Sequence, residues 1–330
     1  MLKFTIVMSR LKKRIADFTN YSENLQVPLI RVLFDYLSAF VLNGFTIWDY
    51  LEISSGMLLS KYERRRFLTY KRMQKILKKV NDSAYDYKLL NKPETLKTFS
   101  EYVKRCWVYP KESTLDEFVE FINKNKIVIV KPVDGMCGEG IFKKDYTDIS
   151  ESEIEIDYRN FVTKNLLVEE CITVHKALDL NNKSLNTFRV FTMMDSRGEV
   201  HILKAKFRAG VGDSIVDAAD GSVHYPISVE YGIVEGPGVV LESINKDDFI
   251  YCHPGCEKIM VGMRIPYWED VRNMLEQAAK KIPQLRLIGW DVAITEKGPE
   301  IIEANHNPYH GTFEELGNKR LWYYRLRSLM

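Results

Sequence analysis

The chain has 330 residues, of which 45% are hydrophobic and 28% charged, and its formal net charge is +2. These values are typical of a globular protein, and so small a net charge argues against a nucleic-acid-binding protein and against attraction to an anionic membrane surface. Five cysteines without regular spacing do not form a disulfide framework, which favours a reducing, cytoplasmic location.

Residues 1–90 are predicted to be helical. Apolar side chains recur at three- and four-residue spacing over Leu29–Phe40, the period of a helix. Arg31 and Asp35 interrupt this apolar segment, so we expect a buried amphipathic helix and no transmembrane segment, with membrane-surface docking as the alternative. The basic run over Lys61–Lys79 is expected to be the solvated face of a second helix. Contact with an anionic substrate or a lipid-linked glycan is the alternative.

Residues 91–175 change to a mixture of helices and strands. Pro93 and Glu94 suit the first turn of a short helix. Thr114 suits the N-cap of a second helix, predicted over residues 115–123. These helices lead into the first long strand.

A β-branched run over residues 127–133 predicts a buried strand that carries Lys131 near its end. Three glycines follow within six residues, at Gly135, Gly138 and Gly140. Glycines let backbone amides approach phosphate oxygens closely, and a lysine neutralises the same oxygens. The spacing matches neither a Walker loop nor a dinucleotide fingerprint. The combination predicts a phosphate-binding hairpin.

A second short strand, over residues 166–172, is broken by Glu169 and Glu170. If the neighbouring positions of the strand are buried, one of these two carboxylates faces inward and needs a hydrogen-bond donor. An adenine amine or a ribose hydroxyl would serve, and so would a protein arginine. The sequence leaves both choices open.

The region after residue 176 is predicted to be rich in strands. An antiparallel hairpin joins a strand that starts at Ser184 to a return strand over Val200–Phe207. Residues 252–256 contain two cysteines and a histidine, but without paired Cys-x-x-Cys spacing they do not predict a zinc site. A helix is expected over residues 268–282.

The last two predicted strands form a hairpin whose turn is Glu296–Gly298. A three-residue loop with glycine at its last, left-handed position is a common solution for such a turn. It would set Thr295 opposite Pro299 and Asp291 opposite Glu303.

Alternation along these strands places Asp291, Glu303 and Asn305 on one face. Oxygen-bearing side chains that converge in this way suit a hard divalent cation such as magnesium. A solvated polar face is the plain alternative. The opposite face is expected to enter the core through Trp290, Val292, Ile294 and Ile302.

With these features in this chain order, the sequence resembles the ATP-grasp superfamily, and most closely the sugar-transfer-associated ATP-grasp proteins of polysaccharide biosynthesis. The segments that carry the resemblance are IVIVKPVDGMCGEGI, LLVEECI, SLNTFRVFT and GWDVAITEKGPEIIEANHNP. The resemblance implies an α+β, ATP-grasp fold, in which two α+β lobes with antiparallel sheets clasp ATP. The lobes would be residues 91–175 and 176–330, preceded by the helical region of residues 1–90.

The resemblance also implies roles for particular residues. The nucleotide site would comprise Lys97, Lys131, Gly135, Gly138, Gly140, Glu169, Glu170, Cys171 and Ile172. Lys92 and Lys111 compete with Lys97 for the role of second nucleotide lysine. Two magnesium ions would be held by Asp291, Glu303 and Asn305, with Glu303 bridging. The γ-phosphate and the acceptor would be met by Asn186, Arg189 and Arg208.

The activity that the resemblance implies is an ATP- and magnesium-dependent carboxylate–amine ligase that works through an acyl phosphate. Its substrate would be a cell-surface or capsular polysaccharide, or a sugar precursor, that is amidated or receives an amino acid. Gly289 departs from the pattern, because many ligases of the superfamily carry an arginine two residues before the first metal aspartate. Arg189 or Arg208 would have to substitute.

Two other functions remain open. One is an ATP-grasp kinase that phosphorylates a sugar or alcohol, for which Asp213 or Asp217 would supply the acidic base. The other is a degenerate nucleotide-binding scaffold, although a scaffold has no need of convergent carboxylates. In all three cases we expect ATP as a partner, no nucleic acid, and peripheral membrane contact at most.

Overall fold

A computed structural model of the chain describes residues 14–53, 59–134, 138–180, 184–212, 222–240, 249–314 and 322–330. These residues fall into two compact units. The first contains the described parts of Met1–Lys79 and Tyr309–Met330, and the second those of Val80–Leu241 and Asp248–Pro308. The domain boundaries expected at residues 90 and 175 stay a prediction.

Helices dominate the start of the chain, and strands become frequent after residue 106. The helices are α1 Arg14–Asn24, α2 Leu29–Asn43, a π-helix Asp49–Ile53, α3 Lys61–Arg66, α4 Tyr70–Val80, α5 Tyr87–Leu90, α6 Lys92–Thr98, α7 Leu115–Lys124, α8 Glu151–Lys164, α9 Trp268–Lys280, α10 Gly311–Glu314 and α11 Trp322–Ser328. The strands are β1 Trp107–Val108, β2 Ile127–Pro132, β3 Phe142–Asp145, β4 Leu166–Glu170, β5 Thr187–Met194, β6 Val200–Ala209, β7 Val223–Ile227, β8 Val239–Val240, β9 Leu287–Thr295 and β10 Gly298–Asn305.

Local sequence sets several of these helix starts. Thr114 caps α7 as predicted: its hydroxyl accepts from the backbone of Glu117, and the Glu117 carboxylate accepts from the backbone of Thr114. The same reciprocal hydrogen bonding, here between Ser60 and Glu63, forms the start of α3. Such a box satisfies two backbone donors that the first helical turn leaves unpaired.

In the first unit, α2 is apolar on two faces. Its inner face packs into the unit's core through Val32 and Ala39, which are fully buried. The prediction of a buried helix is therefore wrong for the other face, where Leu33, Leu37 and Phe40 are exposed. Periodicity identified the helix, but it could not decide how many of its faces are covered.

The described helices can be compared with the length and apolar composition that a bilayer-spanning helix needs. No single one of them combines the length and apolar composition needed to span a bilayer. Helices α1 and α2 reach that length and composition only together, as two pieces that meet at 110°.

The second unit is built on two antiparallel sheets. The four-stranded sheet has the order β1-β4-β2-β3 and the six-stranded sheet the order β10-β9-β5-β6-β7-β8. Helices α7 and α8 share a core with the four-stranded sheet, and α9 shares one with the six-stranded sheet. Together with the helices before residue 80, this arrangement confirms the predicted α+β class.

The core of the six-stranded sheet is rich in aromatic side chains. Phe188 and Phe207 stack at 4.8 Å between ring centroids, and Trp268 of α9 packs against Phe188. Trp290 is fully buried and donates its indole N–H to Thr192 Oγ1 at 2.8 Å. Because burial of one large apolar side chain stabilises a fold by about 1.5–3 kcal/mol, this core holds the strands of the sheet in place.

The β9–β10 hairpin differs from its prediction at the turn. Thr295 pairs with Gly298 and not with Pro299, so the loop has two residues. Gly298 has a φ of +95°, which favours glycine. The pairing shifts between Ile301 and Glu303, a β-bulge that adds one residue and restores the predicted pairing of Asp291 with Glu303.

The bulge also changes which isoleucine enters the core. Ile301 is buried in the core cluster, whereas Ile302, the predicted core residue, is only half-buried. Two changes of register, one at the turn and one at the bulge, thus cancel at Asp291 and Glu303. The expected pair of carboxylates is obtained by a different route.

Candidate active site

A row of charged residues crosses four strands of the six-stranded sheet. Glu303 on β10 pairs with Asp291 on β9, Asp291 with Arg189 on β5, and Arg189 with Lys206 on β6. Side chains at directly opposed positions share one face of a sheet. The row therefore presents two carboxylates and two cations on the same surface.

Asp291 lies at the centre of this row and is held by two arginines. Arg189 binds it with both ends of its guanidinium, Nε to Oδ1 at 2.5 Å and Nη2 to Oδ2 at 2.9 Å. Arg208 Nη2 lies 3.2 Å from Asp291 Oδ2 and also donates to Thr187 Oγ1 at 2.7 Å. These contacts fix the direction of the Asp291 carboxylate.

The surroundings of Glu303 disfavour the ionised form of its carboxyl. Burial raises the pKa of its carboxyl, and the negative charge of Asp291 raises it further. The positive charges that oppose this effect belong to Lys92, Lys131 and Arg189. A carboxylate whose pKa is raised by burial and by a like charge gains from a nearby cation.

Asn305 is the third residue of the predicted metal set. Its side-chain nitrogen is buried and has no hydrogen-bond partner within the part of the chain that the structure describes. A buried amide of this kind is costly unless a ligand completes its environment. That nitrogen is a hydrogen-bond donor and calls for an acceptor such as a phosphate oxygen, whereas the side-chain oxygens of Asn305, Asp291 and Glu303 are the atoms that would suit a cation.

Lys131 and Glu169 form a buried ion pair in the four-stranded sheet. Lys131 Nζ lies 2.5 Å from Glu169 Oε2, and both side chains are nearly inaccessible to solvent. Arg105 binds the same carboxylate, with Nε at 3.0 Å from Oε2 and Nη2 at 3.3 Å from Oε1. Glu169 thus fixes the position of the Lys131 ammonium.

Arg105 also connects the two sheets. Its Nη1 donates to Glu300 Oε2 at 2.9 Å and to the carbonyl of Ile301 at 2.8 Å. Its Nη2 donates to the carbonyl of Ile302 at 3.2 Å. One buried guanidinium therefore joins Glu169 of the four-stranded sheet to the bulge of β10, directly before Glu303.

Lys92 approaches the same cluster from the start of α6. Its Nζ donates to the carbonyl of Val133 at 3.3 Å. Burial lowers the pKa of Lys92, and among the nearby charges Glu303 acts on it most strongly, followed by Lys131. The two lysines and the carboxylate of Glu303 therefore lie in one electrostatic neighbourhood.

A buried lysine–histidine contact continues the cationic side of the row. Lys206 Nζ lies 2.9 Å from His224 Nδ1, and Ser222 Oγ lies 3.3 Å from His224 Nε2. Burial lowers the pKa of His224, and the charges of Lys206 and Arg208 lower it further. A neutral imidazole that accepts from the ammonium at Nδ1 carries its proton on Nε2.

The family of the chain follows from a comparison of its sequence with family profiles. The profile described as "Sugar-transfer associated ATP-grasp" matches residues 62–328, most of the chain. The chain belongs to the sugar-transfer-associated ATP-grasp family. None of the curated proteins matches it.

Several solved structures are also similar to this ATP-grasp protein. ATP-grasp ligase PsnB, complexed with minimal precursor, Mg and ADP, matches at 14% identity over 76% of this chain and 61% of that chain, with a TM-score of 0.43. D-alanyl-alanine synthetase A from Vibrio cholerae O1 biovar eltor matches at 13% identity over 73% and 65%, with a TM-score of 0.41. D-cycloserine synthetase DcsG matches at 13% identity over 86% and 82%, with a TM-score of 0.40.

The chain spans 60% to 64% of the length of the PsnB structures. At these identities and TM-scores, the matches carry no information on the activity or substrate of this family member. Both are therefore proposals, which rest on the family and on the geometry of the site.

The structure separates the candidates for the second nucleotide lysine. Lys97 is exposed and pairs with Glu112 at 2.7 Å and with Glu94 at 3.6 Å. Lys92, at the other end of the same helix, is the lysine whose pKa is affected by the charges of Glu303 and Lys131. The role of Lys97 stays a prediction, and its surface ion pairs make Lys92 the stronger of these two candidates.

Part of the predicted glycine loop can be placed. Gly135 lies outside the described residues. Gly138 and Gly140 both have positive φ, and a Cβ at Gly140 would come within 2.9 Å of Pro132 Cγ. Glycine is therefore required at Gly140, where the chain turns back from β2 to β3.

The Glu169–Glu170 strand resolves one open choice. Glu169 faces inward and its donors are Arg105 and Lys131, so the arginine alternative holds and its carboxylate is already engaged. Glu170 accepts from the backbone of Cys106 at 2.9 Å. The backbone N–H of Cys171 donates to the carbonyl of Ile127. A backbone contact from Ile172 to adenine stays a prediction.

Asn186 and Gly289, two positions discussed in the sequence analysis, have structural roles. The Asn186 amide bonds to backbone at both ends, to the Leu178 carbonyl and to the Gly210 N–H, each at 3.1 Å. Its contact with the γ-phosphate stays a prediction that this geometry does not favour. At Gly289, a Cβ would come within 2.8 Å of Pro308. A side chain at this position would require Pro308 to move, and the arginines that contact Asp291 lie instead on β5 and β6.

The histidine of residues 252–256 is part of a loop. His253 Nε2 lies 3.0 Å from the Gly210 carbonyl, and its Nδ1 accepts from Gly255 N at 3.2 Å. Both ring nitrogens are therefore used within the protein. This arrangement gives His253 a role in fixing the loop.

Arg105 and Lys206 were not predicted as site residues. For Lys206 a signal existed, because Lys204, Lys206 and Arg208 alternate along β6 and so share one face. For Arg105 the signal was indirect, since only the inward glutamate at position 169 required a donor. Its partners lie 64 and 195 positions away, beyond the reach of any local pattern.

The first prediction concerns the nucleotide lysine. Lys92→Ala is expected to weaken ATP binding roughly 10- to 100-fold, because a charge-assisted hydrogen bond contributes about 1.5–3 kcal/mol. Lys97→Ala removes the same side chain from the exposed side of the same helix and is expected to bind ATP as the wild type does. Calorimetric titration with an ATP analogue and magnesium measures both affinities. A loss confined to Lys97→Ala would contradict the assignment.

The second prediction concerns acid stability. Burial alone would raise the pKa of Glu169, but Arg105 and Lys131 overcome it and hold this pKa at about 2. The charged carboxylate therefore stabilises the fold above about pH 4.5, and this contribution disappears as the pH falls towards 2. Glu169→Gln is expected to lower the free energy of unfolding by roughly 3 kcal/mol at neutral pH.

The difference in the free energy of unfolding between wild type and Glu169→Gln is expected to shrink as the pH falls from about 4.5 towards 2. Urea unfolding at a series of pH values measures this difference. Glu170→Gln is the matched control with a smaller expected effect, because Glu170 accepts from one backbone N–H on the neighbouring chain segment and glutamine keeps an acceptor oxygen. A difference that stays constant with pH would show that Glu169 does not contribute through its charge.

Proposed function

We propose that this protein is an ATP- and magnesium-dependent ligase that joins a carboxylate to an amine through an acyl phosphate. Its acceptor is a cell-surface or capsular polysaccharide or a sugar precursor, and it acts in the cytoplasm. Membership of the sugar-transfer-associated ATP-grasp family supports the use of ATP and a sugar acceptor. The observation that carries the proposal is the cluster in which Asp291 and Glu303 face Lys92, Lys131 and Arg189.

The proposed reaction concentrates negative charge. An acceptor carboxylate oxygen attacks the γ-phosphorus of ATP and ADP leaves; an amine then attacks the acyl carbon, loses a proton, and phosphate leaves. Fixed cations stabilise such charges where water is excluded. Lys131 and Lys92 would bind phosphate oxygens, while Arg189 and Arg208 would hold the acceptor carboxylate. No protein nucleophile is required.

Magnesium would be held by Asp291, Glu303 and Asn305. The pairing of Glu303 with Asp291 across β9 and β10 and the raised pKa of Glu303 support this placement. When bound, magnesium supplies positive charge to the phosphate oxygens. Glu303 interacts electrostatically with both Asp291 and Lys92, and a bridging role for it is implied by the resemblance.

Product analysis tests the proposal. ADP is expected to form only when a uronic-acid-containing acceptor and an amine are both present, and the product mass should equal their sum less one water. A stable phosphorylated product formed without the amine would instead identify a kinase. The candidate bases of that alternative, Asp213 and Asp217, lie outside the described residues.

A further inference from the structure

The first unit presents an exposed apolar surface along α2. We call it the outer apolar face; its residues recur at three- and four-residue spacing and so lie on one side of the helix. They are Ile30, Leu33, Phe34, Leu37 and Val41, which are 40% to 68% exposed. Contiguous apolar surface of this kind marks a binding surface more often than chance.

The acidic residue within this segment does not interrupt the outer apolar face. Asp35 accepts a hydrogen bond from the Tyr50 hydroxyl at 2.6 Å and from Arg64 Nη2 at 2.6 Å. Its charge is thus compensated inside the unit. The sequence alone suggested that Asp35 would weaken the apolar character of this helix, but its side chain is directed to these internal partners.

The neighbouring helix α4 presents an exposed basic face. Lys71, Lys75, Lys78 and Lys79 are exposed, whereas the opposite side of the helix is buried. Between residues 61 and 80 the sequence has nine lysines and arginines and one acidic residue. The small net charge of the whole chain therefore conceals a strongly positive local surface.

The basic and apolar surfaces are adjacent. Lys71 Nζ lies 4.2 Å from the centroid of the Phe40 ring, near the end of α2. Close to the start of the unit, the Arg14 guanidinium lies 4.9 Å from the centroid of the Trp48 ring, which is itself partly exposed. A partly exposed tryptophan in contact with a cation is a common feature of membrane interfaces.

We propose that the outer apolar face of α2 and the basic face of α4 dock this protein on an anionic lipid bilayer, with α2 lying in the plane of the interface. An apolar face alone would also suit a second copy of the chain. A twofold dimer through this face, however, would pair two surfaces that each border on the four exposed lysines of α4 and so carry the same sign of charge, which opposes association. An anionic bilayer matches both surfaces, because its acyl chains accommodate the apolar face and its headgroups attract the basic face.

Vesicle flotation tests the proposal on the full chain. The wild type is expected to bind vesicles of mixed phosphatidylcholine and phosphatidylglycerol more tightly than pure phosphatidylcholine vesicles. Phe34→Glu with Leu37→Glu is expected to weaken binding to the mixed vesicles at least about tenfold per residue. Lys71→Gln and Lys75→Gln are each expected to weaken it about fivefold, with no effect on pure phosphatidylcholine vesicles.

The matched control is Ile156→Glu, which introduces the same charge at an exposed apolar position on α8 in the second unit. It is expected to bind vesicles as the wild type does, and circular dichroism confirms that each variant is folded. Failure of the wild type to bind the mixed vesicles would overturn the proposal. So would light scattering that shows a wild-type dimer which Phe34→Glu with Leu37→Glu dissociates, since a second copy would then be the occupant.

Discussion

Replacement of Glu303 by glutamine is expected to reduce turnover by roughly 10²–10³-fold or more, because the variant loses the charged carboxylate that we propose holds magnesium at the reacting phosphate. The same change is not expected to lower the free energy of unfolding. Burial and the charge of Asp291 raise the pKa of Glu303, so at neutral pH its ionised form costs stability. Lost activity with equal or greater stability is the signature of a residue retained for function.

The rate of ADP formation and the thermal unfolding midpoint together measure this effect. Glu296→Gln is the matched control, since Glu296 lies at the exposed turn of the same hairpin and its carboxylate accepts from the backbone of Lys176. It is expected to keep full activity. Wild-type turnover in Glu303→Gln would remove the magnesium assignment, and a parallel loss of stability would make Glu303 a structural residue.

Arg105→Met is expected to destabilise the protein by about 3–5 kcal/mol, the usual cost of leaving buried charges without their partner. Glu169 and Glu300 would both lose their guanidinium, and three backbone and side-chain contacts of the β10 bulge would go with it. Arg105 would no longer hold the Glu169 carboxylate that positions the Lys131 ammonium, so ATP binding is expected to weaken as well. Urea unfolding and calorimetric titration measure the two effects.

A double-mutant cycle separates the buried charge from the shape of the side chain. Glu300→Gln in the Arg105→Met background is expected to cost less than Glu300→Gln alone, because the uncompensated carboxylate is then removed. Lys104→Met is the control at the adjacent position, where the ammonium is exposed and donates to the Lys297 carbonyl. Additive effects at Arg105 and Glu300 would contradict a coupled ion pair.

The β9–β10 hairpin shows how a correct site can follow from an incorrect turn. Alternation and loop length predicted that Asp291 faces Glu303, and this pairing is confirmed. The loop itself has two residues, and the bulge at Ile302 compensates for the difference. The bulge is held by Arg105, a residue remote in sequence, so no local pattern could have predicted it.

The choice between Lys92 and Lys97 has a similar origin. Both lie on one short helix and both have the same chemistry, so the sequence left them as rivals. The packing of that helix buries Lys92 towards Lys131 and leaves Lys97 among surface carboxylates. Orientation about a helix axis depends on what the helix packs against, which a sequence of seven residues does not reveal.

The sequence by itself determined the main helices, the N-cap at Thr114, the long strands, the α+β class and the three residues of the proposed metal set. These follow from local chemistry: periodicity, capping boxes and alternation act within a few residues. Only the tertiary structure decided that Arg105 joins the sheets, that arginines on β5 and β6 hold Asp291, and that one face of α2 remains exposed. Each of these depends on contacts between distant segments, because burial and charge compensation are properties of the packed chain.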